Sequence, residues 1–143
     1  MRRSRRTAVL LAAAALAVGC GSSDDSDPED EITNAVTDYY VALAQRDGEK
    51  ACSLLTEMQR TRRDQDGGCE KAVADEDKNL MPSSLEAEDV EVVDIQVDGD
   101  SARAGARISA RLTRPPEGPE ERTLESITLK RVDGEWLIDE TVG

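Results

Sequence analysis

The chain has 143 residues, 31 of them acidic, 18 basic and none histidine, for a formal net charge of −13 at pH 7. All the acids and 14 of the basic residues lie beyond Gly19, so that part carries −17 and repels nucleic acid and anionic lipid headgroups. Tyr39, Tyr40 and Trp136 are the whole aromatic complement, too few for a row of base-stacking rings, and the lack of histidine removes histidine-based triads and most metal-hydrolase ligand sets.

At the start, Arg2, Arg3, Arg5 and Arg6 form a charged n-region, Ala8 to Val18 an apolar h-region, and small Gly19 precedes Cys20. The run is too short to span a bilayer as a helix. Leu16-Ala17-Val18-Gly19-Cys20 resembles the lipobox of bacterial lipoprotein precursors, with Ala17 in the usual leucine place and Leu16 one step early. Ser4 to Leu10 is also similar to a twin-arginine signal, with Ala8 replacing a larger apolar residue. The resemblance implies a signal peptide over residues 1–19, a lipid on Cys20, and anchorage at the outer face of the cell membrane through that lipid. An ordinary cleaved secretory peptide with a cysteine nearby is the plainer alternative. Residues 20–28, rich in Ser and Asp, read as a solvated acidic tether. They lack the Gly and distal Glu that close a calcium loop.

With Cys20 acylated, Cys52 and Cys69 remain, and an even pair in an oxidising compartment reads as one disulfide, worth about 3 kcal/mol in the chain-entropy view. Two buried free thiols are the alternative. Two cysteines without histidine do not fill a zinc shell, so neither metal nor cofactor is expected.

The first helix is capped by Asp27, opened by Pro28 and favoured by Glu29, Asp30 and Glu31 at the positive end of its dipole. Ile32, Val36, Tyr39, Tyr40 and Leu43 recur at helical spacing, and Asp47-Gly48 is expected to end the helix with Gly48 left-handed. A second helix from Glu49 would carry Ala51, Cys52, Leu55 and Met58 on one face, after which Arg60 to Asp66 loses apolar periodicity. Cys69 opens a shorter helical segment with Ala72 and Val73, and Pro82-Ser83-Ser84 is a break.

From there the period becomes two. Val93, Ile95 and Val97 alternate with polar residues, and Ala102, Ala104, Ala106, Ile108, Ala110 and Leu112 form the inward set of a long strand. A Gly99-Asp100 turn would set Val97 opposite Ala102, Ile95 opposite Ala104 and Val93 opposite Ala106. It would also place Asp94 diagonal to Arg103 and Arg107, as a charge ladder. Arg114 to Pro119 is a loop, because proline cannot donate to a ladder. In the third strand the phase slips between Leu124 and Ile127, which predicts a bulge near Glu125-Ser126. Asp133-Gly134 makes a hairpin that pairs Leu129 with Ile138 and Arg131 with Trp136. The reading is one α+β domain over residues 29–143, two to three N-terminal helices on an antiparallel sheet of about four strands.

Tyr39 to Gly48, Ala51 to Thr56 and Arg131 to Asp139 together resemble segments of the NTF2-like superfamily, in an exported lipoprotein form. The resemblance implies a cystatin-like cone, a curved sheet wrapped around helices with a pocket inside. Tyr39, Tyr40, Leu43 and Leu55 from the helices are the expected lining. Ala104, Ala106, Ile108 and Trp136 complete it from the sheet. Catalytic members use an acid in the cone with a Tyr, Asp or His partner. Here the long strand offers only Ala, Ile and Leu, and no pair among Tyr39, Tyr40, Arg131, Asp139 and Glu140 has the spacing for acid/base work. The expectation is therefore no catalytic residue, and a domain that binds a small apolar ligand or another protein through its cavity or sheet face. An isomerase-like or hydrolase-like enzyme with a buried carboxylate is one alternative, and an accessory subunit of an envelope assembly another. A monomer is favoured over a dimer through the polar sheet face.

Overall fold

The computed structural model describes residues 26–64, 67–75, 79, 81–109 and 123–142. Cys20, Ala110, Leu112, the Arg114–Pro119 loop and the signal segment lie outside the described residues.

Helix α1, Pro28–Ala44, starts as expected, with the Asp27 carboxylate accepting from the Glu29 N–H at 3.0 Å. Its stripe of Ile32, Val36, Tyr39, Tyr40 and Leu43 is buried. The end differs. The left-handed residue is Arg46, at φ 59°, whose guanidinium donates to the carbonyls of Leu43 at 3.1 Å and Met81 at 3.2 Å. Gly48 instead opens α2, Gly48–Ser53, and a Cβ there would stand 2.7 Å from the Glu70 carbonyl oxygen. Its glycine serves a close approach between two helical segments, not a turn.

The single second helix is split. After α2, Leu54–Thr56 runs alongside the last strand, the Thr56 N–H donating to the Ile138 carbonyl at 2.9 Å and the Ile138 N–H to the Leu54 carbonyl at 2.8 Å. Helix α3, Glu57–Asp64, then leaves in a new direction and buries none of its residues. Leu55 stays in the core while Met58, expected beside it, is 45% exposed. Helix α4, Cys69–Ala74, follows, and the Cys52–Cys69 disulfide ties it to α2 with Cα atoms 6.1 Å apart.

A 3-10 turn at Ala87–Asp89 leads into four strands: β1 Val90–Asp98, β2 Ser101–Ile108, β3 Thr123–Val132 and β4 Glu135–Val142, in the antiparallel order β1-β2-β3-β4. Helix α1 packs against both outer strands, so the sheet curves around it. Ala102, Ala104 and Ala106 are buried, as their alternation predicted, and Ile108 is half-buried.

Two register expectations change. In β1, Val97 does face Ala102, but the ladder shifts between Val93 and Gln96, and Asp94 takes φ 54°. Val93 therefore faces Gly105, and Val92 faces Ala106. One inserted residue moves the inward set to buried Val90 and part-buried Val92 and Ile95. In β3 there is no bulge at Glu125-Ser126, since its ladder with β2 is unbroken. The irregularity lies on the other side, where Thr128 pairs with Glu140 and Leu129 with Ile138, leaving Asp139 as the extra residue of β4. Leu129 faces Ile138 and Arg131 faces Trp136, as the hairpin turn predicted.

The split between α2 and α3 separates two leucine-sized side chains that one helix would have buried together. Leu55→Ala is expected to cost about 2–5 kcal/mol and Met58→Ala less than about 0.5 kcal/mol, measured by urea unfolding; equal losses would restore the continuous helix.

Candidate functional site

Towards one end of the concave face of the sheet lies a polar constellation. Glu125 falls in phase with buried Ile127 and Leu129, and its carboxylate accepts a hydrogen bond from the Tyr40 hydroxyl. Beside it, the Tyr39 hydroxyl accepts from the Arg63 guanidinium at 2.9 Å, and the two tyrosine rings meet edge to face with centroids 5.5 Å apart. Arg63 reaches this point because α3 departs from the Leu54–Thr56 junction.

Burial pushes the Tyr39 hydroxyl above its ordinary value, with the Arg63 charge pulling partly back. Burial does the same to Tyr40, and the hydrogen bond to Glu125 and its charge push it further in the same direction. Both hydroxyls therefore keep their protons at neutral pH. Tyr40 acts as the hydrogen-bond donor to the Glu125 carboxylate.

At the other end of the cone, Arg131 lies over the Trp136 ring at 5.9 Å from its centroid and pairs with Glu31 of α1 at 3.8 Å. The buried Trp136 indole N–H has no hydrogen-bond partner among the described residues. Asp139 is not in the cone. Its carboxylate accepts from the Thr56 hydroxyl at 3.0 Å and pairs with Lys130 at 2.8 Å, while Gln59 donates to its carbonyl. Glu140 is exposed.

The eight residues expected to line a pocket all belong to or pack against the core. Tyr39, Tyr40, Leu43, Leu55, Ala104, Ala106 and Trp136 are buried in a single apolar cluster, with half-buried Ile108 packed against it. Two open cavities are lined mostly by other described residues. A groove of about 610 Å³ runs beside the disulfide, between Arg60, Asp64, Glu70 and Lys71. A depression of about 210 Å³ lies over Gly105, and of the eight only Ala104 touches it. No group of three potential metal ligands occurs among the described residues.

Glu125 is the polar group that sequence reasoning missed. Counting back by two from Leu129 and Ile127 reaches it directly, whereas anchoring the strand on Leu124 required a bulge and put the glutamate outside.

Asp139 makes the junction of β4 with the helical layer pH-dependent. Burial alone would raise its carboxyl, but hydrogen bonds from Lys130 and Thr56, then the charges of Lys130 and Arg62, outweigh burial and hold it below the usual 3.8. A depressed folded value contributes stability that is complete above the unfolded value and disappears as pH falls through the folded one. Asp139→Asn is expected to lower stability by about 0.5–1 kcal/mol at pH 7, discounted for the exposed Lys130. The gap to the parent narrows below about pH 4, as read by thermal melts across pH.

No protein-family model and no curated protein matches the sequence. Among solved structures, a Campylobacter jejuni protein provisionally described as an NTF2-like transpeptidase superposes with a TM-score of 0.52 at 14% identity, covering 80% of this chain and 99% of that one. A curved antiparallel meander around helices, matched over that whole neighbour, gives this chain an NTF2-like fold.

Proposed function

We propose that this protein is an extracytoplasmic lipoprotein, acylated at Cys20 and held at the outer face of the cell membrane, whose NTF2-like domain binds and does not catalyse. The observation that carries the anchoring half is the Cys52–Cys69 bridge, which leaves Cys20, behind its basic and apolar segments, as the one cysteine of the chain outside it. A disulfide suits an oxidising compartment. The binding half is supported by the candidate pocket lining being packed as core, which favours contact through the outer surface over an apolar ligand inside the cone. An accessory role in an envelope assembly is one form of that contact.

Intact mass of the membrane-extracted protein tests this. It should show cleavage before position 20, acyl mass on Cys20, and the loss of two hydrogens across Cys52 and Cys69. Unprocessed precursor in the cytosol with three reduced thiols would falsify it.

A second reading is favoured by one observation, the carboxylate of Glu125 inside the cone with a tyrosine hydroxyl on it. Such a pair is what an isomerase-like or hydrolase-like NTF2-fold enzyme needs. In the binding domain it is a clasp between α1 and β3, so Tyr40→Phe should lower stability by about 1–3 kcal/mol by leaving the carboxylate without its donor. Carboxylate titration by NMR separates the two: a cone carboxylate titrating above the ordinary glutamate range supports the enzyme, and its absence removes it.

A further inference from the structure

The outer face of the sheet has opposite charges that the described residues leave unpaired. On this face Arg107 pairs with Glu91 at 3.6 Å, and Lys130 with Asp139 at 2.8 Å. Arg103 and Asp94, which the straight register would set diagonally as rungs of one ladder, make no ion pair with any described residue. The β1 bulge is the cause, since its extra residue is Asp94 itself, in the left-handed region at φ 54°. Between the two charges the sheet sinks. Gly105, which has no side chain, lies opposite Val93 on one side and Ser126 on the other, and the depression of about 210 Å³ is lined by Asp94, Gln96, Arg103, Ala104, Gly105, Glu125 and Ser126.

A glycine inside a strand weakens it and often marks close approach of something else. A bulge re-aims a side chain, and such bulges concentrate near sites. Here both occur side by side, and the charges they flank select the occupant. A bare anion drawn to Arg103 is opposed by Asp94. A bare cation is opposed by Arg103, and the second carboxylate of the lining, Glu125, is already engaged by the Tyr40 hydroxyl. A molecule with a carboxylate at one end and an ammonium at the other satisfies both, and Gln96 and Ser126 offer neutral hydrogen-bonding groups to what lies between.

We propose that the depression over Gly105 binds a small zwitterion, of amino-acid to short-peptide size, its carboxylate on Arg103 and its ammonium toward Asp94. This inference rests on the non-catalytic binding reading and is independent of the anchor on Cys20. Because both charged groups are exposed, the affinity is expected to be modest, with Kd on the order of 1 mM and weakening with salt.

The test is two-dimensional NMR of the full chain titrated with glycine and with glycylglycine, and with acetate and ethylammonium as single-charge probes. Saturable shifts at Asp94, Gly105 and Ser126 are expected with a zwitterion, its length chosen by which of the two binds tighter, and at least about fivefold weaker binding with either single-charge probe. Arg103→Gln, an exposed change outside the core, should weaken the zwitterion about fivefold. Gly105→Val, which puts a strand-favouring side chain on the floor, should abolish binding. No saturable shift up to about 20 mM, acetate or ethylammonium binding as tightly as the zwitterions, or unaltered binding by Arg103→Gln would each overturn the site. A negative titration leaves the intact-mass result standing, and a failed acylation leaves the titration standing.

Discussion

Two backbone hydrogen bonds between Leu54–Thr56 and Ile138 hold the helical layer on the sheet. They force the chain out of helix for three residues and turn α3 so that Gln59 and Arg63 point back over the sheet. They also lie next to the extra residue of β4, whose carboxylate fastens the same junction through Thr56. Without this seam α3 would continue α2, Met58 would share the face of Leu55, and Arg63 would not reach Tyr39. The disulfide acts one step behind it, tying α4 to α2 rather than to the sheet.

Much of this was legible in the residues. The cap at Asp27, the stripe of α1, the alanine phase of β2 and the Asp133-Gly134 hairpin rest on local chemistry, and local chemistry was enough. The cysteine pair followed from counting. The split after Ser53 did not, because no proline or glycine marks it and its cause is a strand more than eighty residues away. The bulges were hidden for a related reason. Aspartate tolerates the left-handed region, so Asp94 looks like any polar position in an alternating strand. Gly48 was misread because a glycine after Asp suggests a turn, whereas the constraint is the backbone of Glu70.

The same contrast holds for the site. Tyr39 and Tyr40 were visible as helix-stripe residues, and the structure gives each a polar partner at its buried end. A tyrosine can fill a core with its ring only if its hydroxyl finds such a partner. Arg63 and Glu125 are those partners, drawn from a helix without buried residues and from a strand whose phase was off by one. The cone is thus organised by hydroxyls that must be satisfied, and the apolar residues pack around them.

The shift at Asp94 has a consequence for how this chain behaves when crowded. A sheet ends in rows of free amide and carbonyl groups that can template a neighbour's strand, and proteins suppress this by kinking or charging the border. One border here, β4, is met by Leu54–Thr56. The other, β1, is kinked midway and carries Glu91, Asp94 and Asp98. Deleting the single inserted residue, Asp94, would remove the kink and leave the charges of Glu91 and Asp98 as the border's remaining protection.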